Sequence, residues 1–166
     1  MNDTIGFSQW ASWSDRGLLA GLAHPGVYAL AIAEESLHRV AFDWIQRIAY
    51  FGMSNSIGGL KARLKQFDDS IRGRPGHGGG ERFRNKHTDP KVLAAKLYVS
   101  IWPEPCDVNR KSVEDLLAMG RVAQREYACF ARYVELHGAL PEFNDMKRSP
   151  KRRRGTNKEP PSQHDS

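Results

Sequence analysis

Eight consecutive residues, Gly26 to Ala33 (GVYALAIA), carry no charge, and Pro25 stands directly before them. A run this short, bounded by a breaker, reads as a strand rather than a core helix. Side chains alternate across a strand, so Val27, Ala29 and Ala31 share one face while Tyr28, Leu30 and Ile32 share the other. A strand apolar on both faces needs a layer on each side. That requirement constrains the fold more than any other feature.

The other elements are read around it. Arg39 to Gly52 alternates through Val40, Phe42 and Trp44 and then through Ile48 and Tyr50, which predicts a second strand. With the first it forms a hairpin whose connection is lengthened by extra strand or loop. Leu97 to Trp102 (LYVSIW) predicts a third strand, ended by Pro103 and Pro105. Ser54 or Ser56 is placed to cap a helix running to about Arg72, with Leu60, Leu64, Phe67 and Ile71 on one stripe. The glycine-rich stretch Gly73 to Gly80 predicts a mobile loop. A long helix is expected from Ser112 to about His137. Its apolar stripe would contain Val113, Leu116, Leu117, Gly120, Ala123, Tyr127, Phe130, Ala131 and Val134. The expected fold is α+β with mixed α/β layers: a small three-stranded, possibly extended, sheet flanked by helices. Residues 1–24 form a helical lead-in with Trp10, Trp13, Leu18, Leu19 and Leu22 available for packing, 25–146 the domain, and 147–166 a basic disordered tail.

Composition supports one domain. The chain has 166 residues, 40% hydrophobic, enough for a single core. Of its net charge of +6, residues 147–166 contribute +5, leaving +1 for the body. The overall basicity is therefore a property of the tail, which either binds phosphate or serves as a solvated terminus. Cys106 and Cys129 make neither a disulfide framework nor a metal knuckle. With no signal-like leader and no apolar run near 20 residues, the sequence predicts a cytoplasmic protein with no membrane partner.

Five pieces carry a resemblance. Gly26-Val27-Tyr28 and Tyr50-Phe51-Gly52 lie on the first two strands. Ser54 with Leu60-Lys61-Ala62-Arg63-Leu64 opens the following helix. Glu126 stands on the late helix, and Pro141-Glu142-Phe143-Asn144 follows it. In this order, over about residues 25–145, they resemble the GIY-YIG nuclease superfamily. Taken singly, each has an ordinary explanation: core aromatics for the tyrosines, a solvent-facing helix position for Arg63, a turn residue for Asn144. Glu126, beside Met119, Ala123 and Phe130, is half out of water and calls for a partner or a cation. The chain departs from the family in three places. The stretch between Tyr28 and Tyr50 is longer, Ser56-Ile57-Gly58 adds residues before Leu60, and Phe67 stands where many members have a histidine one turn after the arginine. His77, or Tyr28 acting alone, is left for proton transfer.

The resemblance implies a DNA endonuclease that hydrolyses phosphodiester bonds at a single-metal site. Glu126 would hold one Mg²⁺ or Mn²⁺, Arg63 would grip phosphate, Tyr28 and Tyr50 would position or deprotonate water, and Asn144 would close the site. A water-activating role asks for a depressed Tyr28 phenol. Arg72 to Lys91 has a local charge of +4, and within it His77, Arg82, Arg84 and Lys86 are candidates for DNA contact. A homodimer would serve double-strand cleavage. The alternatives are a catalytically reduced DNA-binding module on the same scaffold, and a protein-interaction domain docking through Trp10 and Trp13.

Overall fold

The structure, a computed structural model, describes residues 6–151. Its strands are β1 (Ala11–Ser12), β2 (Gly26–Ile32), β3 (Ile48–Ser54) and β4 (Leu97–Pro103). Its helices are α1 (Gly59–Ile71), α2 (Gly78–Lys86), α3 (Pro90–Lys96) and α4 (Val113–His137), with 3-10 turns at Trp13–Leu18 and Glu142–Asn144. The strands form one antiparallel sheet in the order β1-β4-β2-β3. The class is α+β, with four strands rather than three.

The doubly apolar strand sits where its composition requires. β2 lies between β3 and β4, and both its faces are buried. Tyr28 and Leu30 join Leu60, Leu64, Phe67, Phe83 and Leu93 in one core, formed with α1, α2 and α3. Val27, Ala29 and Ala31 join Phe51, Val122, Cys129 and Tyr133 in a second core, beneath α4. The sheet is thus the middle of three layers.

Several expectations need correction. The lead-in is not an ordinary helix: it supplies β1 and a 3-10 turn, with residues 1–5 outside the described residues. Trp10 enters the α4-side core while Ala11 and Trp13 enter the other, an alternation that only extended chain gives. Leu18 faces solvent. The second strand begins at Ile48, and residues 39–47 are irregular. Phe42 of that segment stacks on Phe7 at 4.1 Å and on Trp10 at 5.4 Å, so its apolar spacing serves an aromatic cluster. Neither Ser54 nor Ser56 caps α1; its first N–H groups go to backbone, Leu60 to the His24 carbonyl (2.9 Å) and Lys61 to that of Leu22 (2.8 Å). The stretch expected to be a mobile loop ends in helix, since Gly78, Gly79 and Gly80 form the first turn of α2.

α4 begins in a capping box: the Ser112 hydroxyl accepts from the Asp115 N–H, and the Asp115 carboxylate accepts from the Ser112 N–H. Arg110 donates to the same carboxylate at 2.7 Å and holds it well below the usual carboxylate range. The buried stripe of α4 is Asp115, Ala118, Val122, Cys129 and Tyr133. The expected stripe is largely on the opposite side, with Val113, Leu116, Leu117, Tyr127 and Val134 exposed. Small side chains let the helix lie close to the sheet, so bulk is not what marks the inward face. Residues 147–151, expected to open a free tail, pack on the body: Ser149 is buried, and Asn85 donates to the Pro150 carbonyl at 3.2 Å. The rest of that tail, 152–166, lies outside the described residues. Among the described residues no helix is long and apolar enough to cross a membrane.

Candidate functional site

Pairing places the two tyrosines. Tyr28 lies opposite Gly52 and Leu30 opposite Tyr50, so Tyr28 and Tyr50 are diagonal neighbours on one face. Their ring centroids are 6.1 Å apart. Two glycines make room for them. A Cβ on Gly52 would stand 2.4 Å from the Tyr28 hydroxyl oxygen, and one on Gly79 would stand 2.7 Å from Cζ of Tyr50. The glycine run therefore lets α2 press onto the phenols, which is why it is ordered rather than loose.

His77 is the residue this packing brings in. It is fully buried and is the N-cap of α2: its Nδ1 accepts from the Gly80 N–H at 3.1 Å. Its Nε2 is 2.8 Å from the Tyr28 hydroxyl. Burial first, then the positive charge of Arg63, lowers its pKa to about 3, so the ring is neutral. A neutral imidazole whose Nδ1 accepts carries its proton on Nε2, and His77 therefore donates to Tyr28. The Tyr28 hydroxyl is left to donate onward, on the side where the Tyr50 ring lies 6.1 Å from its own. The result is a directional chain from Gly80 through His77 to Tyr28, with Tyr50 next along it.

Arg63, on α1, and Glu126, on α4, act on the same phenols. Burial pushes Tyr28 well above its ordinary value; Tyr50 and Glu126 add to the rise and Arg63 opposes it. Burial also raises Tyr50, with Arg63 and Arg82 pulling down. The Arg63 guanidinium alone does not depress the Tyr28 phenol as a water-activating role asks, because desolvation outweighs it. Tyr28 has no exposed surface and Tyr50 keeps 9% of its own, so Tyr50 is the more accessible end of the chain. Although α4 packs on the opposite layer, β3 is the sheet's edge. A residue on the margin of α4's buried stripe can therefore reach past it to the tyrosine face.

Glu126 is half-buried, and its carboxyl is raised by desolvation with Arg63 the opposing influence. Among the described residues it makes no hydrogen bond and no ion pair. Nε of Arg63 and Nε of Arg82 are likewise buried without a hydrogen-bond partner, while another Arg63 nitrogen holds Gln66 at 3.2 Å. A guanidinium with an unpaired donor beside a lone carboxylate, and a second such guanidinium acting on Tyr50, fit an anion bridged to a cation. Among the described residues no group of three or more His, Cys, Asp or Glu could hold a metal. A hydrated hard ion taking one carboxylate is the type that fits this donor set.

Asn144 clamps the edge beside Tyr50. Its Oδ1 accepts from the Phe51 N–H at 2.8 Å and its Nδ2 donates to the Phe51 carbonyl at 2.9 Å. The side-chain amide substitutes for a neighbouring strand and fixes β3 in place. The expected DNA-contact set divides. His77 is interior, and Lys86 is paired with Glu142. Arg84 is exposed beside Gly73 and lines a cavity of about 820 Å³ with Arg74 and Lys151. Arg82 belongs with the tyrosines. Its place could not be read from charge alone; the glycines that bring α2 onto Tyr50 were the available signal. The chain matches no protein-family model, no curated protein and no solved structure.

Proposed function

We propose that the chain is a metal-dependent DNA endonuclease of the GIY-YIG kind, cutting phosphodiester bonds at the site formed by Tyr50, Arg63, Arg82 and Glu126. One observation supports this above the rest: Glu126, a half-buried carboxylate without a partner among the described residues, and Arg63, with an unpaired buried donor, act on both phenols, and Arg82, with another, acts on Tyr50.

Arg63 and Arg82 bind the phosphate, their planar forks supplying the hydrogen bonds that are unmade in the free chain. Glu126 holds Mg²⁺ or Mn²⁺, which when bound supplies Lewis-acid stabilisation of the developing negative charge. Tyr50 orients water toward phosphorus. Tyr28 and His77 are positioning residues: the neutral imidazole directs the Tyr28 hydroxyl toward Tyr50, so the N-cap ring of α2 supplies the histidine that Phe67 does not. Asn144 keeps β3, and with it Tyr50, from shifting. Arg84 and the basic cavity extend the phosphate track beyond the scissile bond.

Nicking of supercoiled plasmid with Mg²⁺, compared for wild type, Glu126→Gln and Arg63→Ala, tests this. The wild type nicks and chelation stops it, while both variants lose activity by at least about 100-fold, the usual cost of removing a charge-stabilising group. Retention of DNA by all three with no nicking by any would favour the binding-only module.

A further inference from the structure

Among the described residues four arginines have no carboxylate partner: Arg39, Arg63, Arg82 and Arg84. Arg63 and Arg82 act at the tyrosine site. Arg84 makes no hydrogen bond or ion pair with any described residue, yet its guanidinium has a seat. Gly73, at φ +108°, leaves open the space that the guanidinium occupies, and a Cβ there would overlap Nη1 of Arg84.

The seat opens into the cavity of about 820 Å³ that Arg84 shares with Arg74, Lys151 and Glu81. Arg74 is taken by Asp69 at 3.1 Å, while Lys151 only approaches Glu81, at 3.8 Å. The free fork of Arg84 and the loosely held ammonium of Lys151 are therefore the donors on offer. They lie away from the tyrosines. Arg82 and Arg84 stand about 200° apart around α2, so a helix about 10–12 Å across separates the two sites.

The cavity is walled by chain. Residues 149–151 run across α2, with Ser149 buried, the Pro150 carbonyl accepting from Asn85 at 3.2 Å, and Lys151 in the lining. Gly73, Arg74 and Pro75, beyond the end of α1, form another wall. A strand running through would need both ends open, whereas the end of a strand needs one. A phosphate monoester brings about −1.5 to −2 charges at pH 7 and three acceptor oxygens, enough to occupy a guanidinium fork and an ammonium together. A diester in mid-strand has a single charge and two free oxygens. The volume lies within the range of small-molecule pockets, about 300–1,000 Å³, and leaves room for a terminal nucleotide beside its phosphate.

We infer, on the nuclease reading, that this cavity takes the terminal phosphate monoester of a nucleic-acid strand, gripped by Arg84 and Lys151. The phosphate track ends there.

Fluorescence anisotropy of the full chain tests it without divalent cation, so that nothing is cut. The probe is an internally labelled single-stranded oligonucleotide with a phosphate at its 5′ end, at its 3′ end or at neither. The wild type should bind at least one phosphorylated form about 10-fold tighter than the form with two hydroxyl ends, the gain expected of charge-assisted hydrogen bonds. Arg84→Gln, at an exposed position that no described residue uses, should erase that gain and Lys151→Gln should reduce it, with much smaller losses on the hydroxyl-ended form. Equal affinity of the wild type for all three probes, or a gain that survives Arg84→Gln, would overturn the proposal. So would an Arg84→Gln loss of the same size on all three, which would assign the cavity to mid-strand phosphates. A failed end preference leaves the plasmid-nicking test of the nuclease reading untouched, and an absence of nicking leaves this binding result standing.

Discussion

Acid should weaken this protein through His77, and the size of the effect can be worked out. The ring is fully buried and its pKa is lowered to about 3 in the folded chain, against 6.5 unfolded. Because the folded value is the lower one, the unfolded state takes up the proton first. The contribution is complete above pH 6.5 and is lost progressively as the pH falls toward 3. At pH 4.5 the folded ring is still neutral wherever below about 4 its value lies, so the loss is set by the unfolded value alone. Two units at 1.36 kcal/mol each give about 2.7 kcal/mol. For a domain stable by roughly 5–15 kcal/mol this is a large fraction. Urea unfolding at pH 7.5 and 4.5, for wild type and His77→Gln, isolates it, because the paired carboxylates Asp68, Glu104 and Asp115 contribute equally to both proteins. The stability gap between the two should change by about 2.7 kcal/mol in the variant's favour at the lower pH. Parallel losses, agreeing within about 0.5 kcal/mol, would mean that His77 titrates freely in the folded chain, and the directed hydrogen bond to Tyr28 would go with it.

Other substitutions probe the same architecture. Gly79→Ala puts a methyl into the Tyr50 ring and should cost about 1–3 kcal/mol by thermal or urea unfolding. Asn144→Ala leaves the Phe51 N–H and carbonyl without their partner and should cost about 1–3 kcal/mol in a urea midpoint, with hydrogen exchange at Phe51 accelerated. Arg63→Lys should leave most of the Arg63→Ala defect in nicking in place, because an ammonium does not reproduce the planar fork. Arg84→Ala should weaken DNA retention and reduce its salt dependence by about one counterion, with the nicking rate at saturating DNA little changed.

The parts of the fold legible in the sequence are those where burial has one interpretation. β2 is apolar on both faces and lies between two layers. The stripe Leu60, Leu64, Phe67 and Ile71 is buried because no rival stripe exists on α1. α4 was misread for the converse reason. It has two apolar faces, and periodicity cannot choose between bulky side chains outside and Ala118, Val122 and Cys129 inside. Asp115 hid the inner face further, since a buried carboxylate is intelligible only once the capping box is seen. Glycine was ambiguous in the same way. It marks a mobile loop or a close approach with equal ease, and only the position of the Tyr50 ring decides for Gly79. Of the candidate site, Tyr28 and Tyr50 followed from strand pairing, and Arg63 and Glu126 lie within electrostatic reach of both. Arg82 is a DNA-contact candidate on charge alone, and local charge does not say which of these cations reaches Tyr50.

The claim on which the account rests is that Glu126 holds a single divalent cation at the edge of the tyrosine pair. Electron paramagnetic resonance of Mn²⁺ titrated into the chain with a short DNA duplex measures this directly. The expected result is one bound ion per chain for wild type and none for Glu126→Gln, with the fold of the variant intact. Equal binding by the two proteins would place any cation elsewhere and contradict the site as described.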